Sequence, residues 1–372
     1  MPAGCLLSRK CPDMDCNVKS CVKSGVYKDL CEIASSDVDF EKLKGSTVLI
    51  TGACGFLGYY LTAALLLRND LYSDNCKITA LVRDREKAEK RFGKLLERDD
   101  LTLCVQDVTS PLKAESADYV IHAAGYASAY HFKTDPVGTA DANLSGTSNV
   151  LEFARQSRSK AVLIISSLKV YGVIYSDKEK ISEDDLGYID FTSCKNCYAM
   201  SKRASETLAA GYCDEFGMNV KIARPAYIYG AAMPGDDRVW AQFFTNAANG
   251  EDILLKSDGS AKRSFVYITD AAAALFTVLL NGENAVPYNI SDENSDVTIR
   301  DFAKKICEVF PEKGIKLSFE NPADEQAPVK LDTPLNKPPE VLDNSLIKSL
   351  GFVPKVDLAK GIRRSVSTTQ EQ

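Results

Sequence analysis

Six short apolar segments alternate with helical segments between Ser46 and Arg224, and this alternation constrains the fold more than any other feature. The segments are STVLIT, KITALVR, LTLCVQ, DYVIHAA, AVLIISS and NVKIAR. Helical stretches such as LGYYLTAALLLRN and DREKAEKRFGKLLE separate them. Strands that are apolar on both faces and alternate with helices belong to a parallel sheet covered on both sides. The sequence therefore predicts an α/β fold with a Rossmann-like, doubly wound parallel sheet.

The first apolar segment runs directly into TGACGFLG, which carries Gly52, Gly55 and Gly58 in a G-x-x-G-x-x-G pattern. A strand, a glycine-rich turn and a helix form the setting of a dinucleotide site. The glycines let the backbone approach a pyrophosphate, and the N-terminus of the helix supplies partial positive charge. This arrangement predicts a dinucleotide cofactor at the start of the sheet.

The end of the second strand selects between the two nicotinamide dinucleotides. A carboxylate there accepts the ribose 2′-hydroxyl of NAD, whereas an arginine accepts the 2′-phosphate of NADP. Here the strand ends in Arg83 and Asp84, so both NAD and NADP remain open. Asp107, after the third strand, is placed either to meet the adenine end of the cofactor or to cap the following turn.

The character of the chain changes after Arg224. Pro, Gly and Asp become frequent in AAMPGDDR and KSDGSAKR, and the helices RVWAQFFTNAANG and TIRDFAKKICEVF lack regular core strands between them. We therefore expect three parts. Residues 1–44 form an N-terminal extension, residues 45–225 form the NAD(P)-binding domain, completed by 264–291, and residues 226–372 form mainly a smaller C-terminal substrate-binding lobe.

Composition limits the partners and the compartment. The net charge of −6 argues against a nucleic-acid-binding surface. No apolar run approaches the roughly 20 residues of a membrane span, and the first residues lack the apolar core of a secretory signal. We expect a cytoplasmic protein without a membrane partner.

Cysteines are concentrated at the start of the chain, at Cys5, Cys11, Cys16, Cys21 and Cys31. Their gaps do not form the paired spacing of a zinc site, and the chain has only two histidines, so no metal is expected. The extension carries no motif, and removing residues 1–30 is expected to leave cofactor binding and activity unchanged.

The reacting groups are expected on a helix that begins near YAMSK. Tyr198 and Lys202 are four residues apart, which places both side chains on one helical face. A neighbouring ammonium favours the phenolate, so the pKa of Tyr198 is expected to fall, which suits proton exchange with an alcohol or ketone. Ser167, in SSLKVYG, follows a buried strand and is placed to bond the same oxygen.

These motifs resemble the extended short-chain dehydrogenase/reductases of the NAD-dependent nucleotide-sugar epimerase/dehydratase family. The resemblance covers roughly residues 45–368 and includes TGACGFLG, DYVIHAAG, SGTSNVLEFAR, SSLKVYG, YAMSK, ARPAYIYG, RSFVYITD and LDNSLIKSLGFVPKVDLAKGI. It is closest in pattern to UDP-glucuronate decarboxylases, through HAAGYASAYHFKTDP, RVWAQFF and DGSAKRSFVYITD. It implies a tightly held NAD(P), a nucleotide-sugar substrate, a transient 4-keto sugar, and a homodimer formed through two paired helices.

The resemblance also implies roles for individual residues. The catalytic groups would be Ser167, Tyr198 and Lys202. Substrate contacts would come from Ser167, Lys169, Arg238 and Arg263. Cofactor contacts would come from Gly52, Gly55, Phe56, Leu57, Gly58, Arg83, Asp107, Val108, Ala123, Ala124, Gly125, Asn143, Tyr198 and Lys202, with Asn143 orienting Lys202.

Two positions depart from the family pattern. Leu168 and Lys169 stand where decarboxylases carry a Glu and dehydratases an Asp-Glu pair, and Tyr227 stands where most relatives place an Asn near the diphosphate. If the strand continues to position 169, alternation points Lys169 to the same side as Ser167, where it would hold a sugar carboxylate and slow its loss as carbon dioxide. If the strand has already ended, Lys169 is a solvated loop charge.

The sequence therefore favours 4-epimerisation of a UDP-sugar, which needs no carboxylate. Three alternatives remain open: a UDP-glucuronate decarboxylase, an NADPH-dependent nucleotide-sugar ketoreductase, and a non-catalytic relative that senses the cofactor.

Overall fold

The computed structural model describes residues 17–174, 178–321, 323 and 340–371. Its strands are β1 Thr47–Thr51, β2 Lys77–Val82, β3 Leu101–Val105, β4 Tyr119–His122, β5 Ala161–Ile165, β6 Val220–Pro225, β7 Tyr227–Tyr229, β8 Ile253–Leu255, β9 Lys262–Tyr267, β10 Pro287–Ile290, β11 Asp296–Thr298 and β12 Leu317–Phe319. Its α-helices are α1 Asn17–Cys21, α2 Ser24–Ala34, α3 Phe56–Tyr72, α4 Arg85–Phe92, α5 Ala129–Thr134, α6 Pro136–Ser157, α7 Cys197–Phe216, α8 Val239–Asn249, α9 Ile268–Asn281, α10 Ile299–Val309, α11 Ser345–Ser349 and α12 Leu358–Gln370.

Seven parallel strands form the main sheet in the order β10-β6-β5-β4-β1-β2-β3. The six strands expected from the apolar segments are all present, and the predicted α/β, Rossmann-like class is confirmed. Helices α3 and α9 pack against one face of the sheet, and α6 and α7 pack against the other. The order reverses at β1, where β2 lies on one side and β4 on the other, so a crevice opens at the carboxyl ends of these strands.

The second half of the chain adds two small sheets, β11-β9-β7 and β12-β8. Strand β7 follows the last central strand after one residue and pairs in parallel with β9. Helix α9 then returns the chain to β10, at the edge of the main sheet beside β6. The small β7–β9 sheet is therefore held directly against the end of the large one, which places its side chains beside the crevice.

Part of the N-terminal extension packs against the main fold, although the sequence predicted no role for residues 1–30. Helix α2 buries Leu30, Ile33 and Ala34 completely and packs against α3, α9 and α12. Its Asp29 accepts hydrogen bonds from the hydroxyl of Tyr267 at 2.9 and 3.0 Å. Residues 24–34 are thus an outer layer of the fold, and their removal would uncover the apolar surface of α3 and α9.

Cys5, Cys11 and Cys16 lie outside the described residues, whereas Cys21 and Cys31 lie within them. Within the described ranges, no group of three or more His, Cys, Asp and Glu side chains is arranged to hold a metal ion. In the same part of the chain, no helix has both the length and the apolar character needed to cross a bilayer.

Candidate active site

The glycine turn joins β1 to α3 and approaches the end of β4 closely. Gly52 has a φ of +66°, and a β-carbon there would lie 2.7 Å from Cα of Ala124. A β-carbon on Gly58 would lie 2.3 Å from the main-chain oxygen of Gly52. Only glycine fits at both positions, and the turn brings the N-terminus of α3 to the crevice, as a dinucleotide site requires.

The three polar residues predicted near the adenosine end of the cofactor each form a hydrogen bond within the protein. Arg83 donates a hydrogen bond to the hydroxyl of Tyr126 at 2.6 Å. Asp84 caps α4 by accepting from the main-chain N of Lys87 at 3.0 Å. Asp107 takes the capping role that was its alternative, because its Oδ1 accepts from the main-chain N of Thr109 at 3.0 Å.

The three predicted catalytic residues come together between β5 and α7. Ser167 begins a short 3₁₀ turn after β5, where its hydroxyl accepts from the main-chain N of Lys169 at 3.2 Å and favours the ionised form of the Tyr198 phenol. The Tyr198 ring stacks on Phe132 of α5, with the ring centres 4.5 Å apart. Lys202 places its Nζ 5.8 Å from the centre of the Tyr198 ring and donates to the main-chain oxygen of Ile165 at 2.8 Å.

Burial is the largest influence on the pKa of both Tyr198 and Lys202. The predicted fall in the pKa of Tyr198 is therefore wrong. Burial raises the pKa of Tyr198 above its ordinary value, although the Ser167 side chain and the positive charge of Lys169 lower it in part. Burial also lowers the pKa of Lys202 to about 8, against the attraction of Glu206. The ammonium of Lys202 therefore titrates near physiological pH instead of remaining a fixed positive charge.

Asn143 lies behind the trio and is completely buried in α6. Its Nδ2 donates to the hydroxyl of Ser201 at 2.9 Å, and its Oδ1 has no hydrogen-bond partner among the described residues. A β-carbon on Gly125 would lie 2.9 Å from this Oδ1 and 3.8 Å from Nζ of Lys202. Asn143 and Lys202 thus meet beside Gly125, where a buried acceptor remains available to a donor.

The strand-alternation argument for Lys169 is wrong, because β5 ends at Ile165 and Lys169 lies on the 3₁₀ turn at Leu168–Tyr171. Lys169 nevertheless reaches the expected region. Its Nζ lies 2.7 Å from Oε1 of Glu340, in the segment before α11. The other oxygen of Glu340 lies 2.9 Å from Nε of Arg263, as an ion pair, and accepts from the hydroxyl of Tyr227 at 2.5 Å.

Arg238, the third cation predicted at the substrate, is held at the start of α8. Its Nε donates to Oδ1 of Asp236 at 2.8 Å. Its guanidinium lies 4.3 Å from the ring centre of Trp240 and 4.7 Å from that of Phe56. Phe56 belongs to the first turn of α3, so Arg238 connects the glycine turn to the second half of the chain.

One cavity of about 640 Å³ joins these groups, a size typical of sites for small ligands. The predicted residues that line it are Gly52, Gly55, Phe56, Leu57, Gly58, Ala123, Ala124, Gly125, Ser167, Lys169, Tyr198, Lys202, Arg238 and Arg263. Tyr227 also lines it. Arg83, Asp107, Val108 and Asn143 lie outside this lining. The cavity therefore runs from the glycine turn, past the trio, to the cations on the small sheet.

The comparisons with known proteins agree with this geometry. Residues 48–291 match the family model described as the NAD dependent epimerase/dehydratase family. UDP-glucuronic acid decarboxylase 6 of Arabidopsis thaliana is 31% identical over 319 residues, which cover 85% of this chain and 86% of the relative. UDP-glucuronic acid decarboxylase 1 of Danio rerio is 27% identical over 320 residues, which cover 86% of this chain and 71% of the relative.

Solved structures share the fold at lower identity. A UDP-glucose 4-epimerase from Thermotoga maritima, with UDP-glucose, superposes with a TM-score of 0.70 at 20% identity, over 87% of this chain and 99% of the other. A UDP-glucuronic acid 4-epimerase from Bacillus cereus, with UDP-glucuronic acid and NAD, superposes with a TM-score of 0.68 at 19% identity, over 87% and 99%. The family match covers more than half of the chain, and the protein is therefore a member of the NAD-dependent epimerase/dehydratase family.

Proposed function

We propose that this protein oxidises the C4 hydroxyl of a UDP-linked sugar through a bound NAD and that its principal reaction is the decarboxylation of UDP-glucuronate. One observation carries the choice of reaction: a UDP-glucuronic acid decarboxylase is 31% identical over 85% of the chain. The cavity geometry supports it, because Ser167, Tyr198 and Lys202 line the same space as the glycine turn.

The residues present fit a nicotinamide dinucleotide. Gly52 and Gly58 leave the close backbone approach that a pyrophosphate requires, and the N-terminus of α3 faces it. Lys202 lines the cavity beside Gly125, where its ammonium would meet a polar ligand group. A nicotinamide dinucleotide held there would supply the acceptor for the hydride of C4 and the donor that returns it.

Proton exchange is the part of the reaction that the chain itself performs. The Tyr198 phenol takes the proton of the C4 hydroxyl during oxidation, while Ser167 bonds the same oxygen. The positive charge of Lys169 favours the phenolate and offsets part of the cost of burying it. Tyr198 returns the proton when C4 is reduced again.

Decarboxylation does not need a carboxylate beside Ser167. The 4-keto form of a glucuronate is a β-keto acid, so carbon dioxide leaves as the C5–C6 bond breaks and the electron pair moves to the C4 oxygen as an enolate. Ser167 and Tyr198 face that oxygen and stabilise the enolate by hydrogen bonds. A proton is then added at C5. No base has to remove a C5 proton, which suits a site with Leu168 and Lys169 after the serine.

Epimerisation at C4 is the second candidate, because the trio alone suffices for it and position 169 lacks the Glu expected of decarboxylases. The test uses NAD-loaded protein and UDP-glucuronate, with products followed by mass spectrometry and trapped carbon dioxide. Decarboxylation gives a UDP-pentose and carbon dioxide. An isomer of unchanged mass, formed without carbon dioxide, would establish epimerisation instead.

Further arms of this experiment address the remaining alternatives. UDP-glucose tests epimerisation of a neutral sugar. A UDP-4-keto sugar with NADPH tests one-way reduction through loss of NADPH absorbance. If every substrate in a panel of UDP-, CDP-, GDP- and dTDP-sugars stays unchanged while NAD still binds, the catalytic proposal fails and a cofactor-sensing role takes its place.

A further inference from the structure

Two departures from the family pattern, Lys169 and Tyr227, meet at one carboxylate. Lys169 comes from the turn after β5, and Tyr227 comes from β7 on the small sheet. Both bond Glu340, at 2.7 and 2.5 Å, and Arg263 adds a third contact at 2.9 Å. Three residues that lie far apart in the sequence and line the cavity, Lys169, Tyr227 and Arg263, thus contact the same carboxylate.

The main chain fixes the position of this carboxylate. The main-chain oxygen of Glu340 accepts from the N–H of Ser264 at 3.0 Å. The next two residues are held as well, since Val341 accepts from the N–H of Ile181 at 2.8 Å and Leu342 donates to the hydroxyl of Ser264 at 3.0 Å. Glu340 is therefore fixed by a bonded backbone beside Lys169, Tyr227 and Arg263, which line the cavity, and is not a freely moving surface side chain.

The charges in this group depend on one another. Burial opposes the charge on both Lys169 and Glu340. Attraction to Glu340 nevertheless keeps the pKa of Lys169 above its ordinary value, and attraction to Lys169 and Arg263 keeps the pKa of Glu340 below its ordinary value. Both side chains are thus ionised at neutral pH. Two cations share one carboxylate, so the group carries a net charge of +1, where the two cations alone would carry +2.

We propose that Glu340 determines the charge specificity of the sugar end of the cavity, by engaging Lys169 and Arg263 so that neither is fully available to an acidic group on the sugar. This inference rests on the proposed function for the identity of the acidic sugar. A hexuronate carboxylate held loosely by Lys169 leaves more readily as carbon dioxide than one locked in an ion pair. Lys169 meanwhile stays where its charge acts on Tyr198.

The test measures binding of UDP-glucuronate and UDP-glucose by titration calorimetry. NAD-loaded protein in a Tyr198→Phe background is used, so that turnover does not interfere. Glu340→Gln keeps the shape of the side chain and removes its charge. We expect it to tighten UDP-glucuronate by about threefold to tenfold and to leave UDP-glucose within about twofold, a size typical of single charge interactions at partly exposed sites.

A matched control and an opposite variant complete the design. Glu293→Gln removes the carboxylate of a comparable lysine pair, Glu293–Lys348, which lies outside the cavity lining, and should change neither affinity. Lys169→Gln should weaken UDP-glucuronate relative to UDP-glucose, because Glu340 then faces the sugar with only Arg263 to balance it. Each result is a ratio of two ligands on one protein, so partial loss of folding cancels.

Kinetics with Tyr198 intact give a second readout. Glu340→Gln should lower both KM and kcat for UDP-glucuronate, and Glu340→Asp, which restores the charge, should reverse part of both changes. Unchanged ligand selectivity in Glu340→Gln and Lys169→Gln would overturn the proposal. A wild-type protein that releases no carbon dioxide would refute the proposed function alone, since the binding ratio would still decide the role of Glu340.

Discussion

Nζ of Lys202 donates a hydrogen bond to the main-chain oxygen of Ile165 at 2.8 Å, so the last residue of β5 holds the lysine of α7. This contact fixes the ammonium in a buried position beside Tyr198. It also leaves Lys202 with a lowered pKa of about 8, because burial dominates and no carboxylate within the described part of the chain bonds it directly. The position has measurable consequences for stability as well as for catalysis.

The first prediction concerns pH and Lys202. Its pKa is about 8 in the folded protein against 10.5 for the ordinary group, so between these values the unfolded chain binds more protons and folding stability rises with pH. We expect the free energy of unfolding of the wild type, minus that of Lys202→Met, to increase through this window. Denaturant titrations below, within and above the window measure it, and a difference independent of pH would contradict the assignment.

The second prediction concerns proton transfer by Tyr198. Phe keeps the stacking on Phe132 but removes the group that exchanges the proton, and a general acid–base group typically contributes ~10²–10⁴-fold in rate. We expect Tyr198→Phe to lose at least that much of kcat while still binding NAD and UDP-glucuronate. Tyr212→Phe, on the same helix away from the cavity, is the control. Near-normal turnover of Tyr198→Phe would falsify the role.

The third prediction concerns the N-terminal helix. Ile33 of α2 is completely buried, whereas Lys28 on the same helix is exposed. Ile33→Ala should lower the free energy of unfolding by about 2–5 kcal/mol, the usual range for a large-to-small change in a core. Lys28→Ala should change it little. Equal stability of both variants in urea would show that α2 is dispensable, as the sequence first suggested.

The fourth prediction concerns cofactor choice. Arg83 is exposed at the end of β2 and donates a hydrogen bond to Tyr126, whereas Asp84 is engaged in capping α4. We expect Arg83→Ala to weaken NADP by about tenfold and to leave NAD nearly unchanged, because only NADP offers a phosphate to the guanidinium. Arg85→Ala is the control. Fluorescence titration of both reduced cofactors decides the matter, and an equal loss for the two would remove Arg83 from this role.

The fifth prediction concerns assembly through α6 and α7. Leu144 is 37% exposed and Phe216 is 46% exposed, and Arg155, three helical turns after Leu144, lies over the Phe216 ring. These residues form one outer surface, and we expect a homodimer that buries it. Leu144→Glu should give a monomer in light scattering, whereas Val353→Glu, at another exposed apolar position, should not.

The six predicted strands and the glycine turn could be found from the sequence because each is encoded locally. A buried parallel strand is a continuous apolar run, and a tight strand–helix turn needs glycine at fixed positions. The catalytic trio could also be predicted from the sequence, since Tyr198 and Lys202 share a helical face and Ser167 follows a strand. Helix α2 was missed although its apolar residues Val26, Leu30 and Ile33 follow a helical spacing.

The partner of Lys169 was beyond local reasoning. Glu340 lies 171 residues away and meets Lys169 only because β9 holds the segment before α11 beside the turn after β5. The prediction of a lowered pKa for Tyr198 was wrong for a related reason. The burial of its phenol depends on the packing of Phe132 and not on the spacing of Tyr198 and Lys202. Pairing and desolvation are properties of the assembled fold.

The contact between α2 and α12 also bears on how the chain is made. Arg364 of α12 bonds Glu32 at 2.5 Å, and Ser24 bonds Glu371 at 2.8 Å. The polar contacts of α2 are therefore made with residues that come much later in the chain. During translation α2 emerges from the ribosome long before its partner. Its apolar side can pack on α3 at once, but its charged contacts form only after α12 has been made. A nascent chain arrested before Leu358 should therefore be more sensitive to protease around α2 than a chain that includes α12.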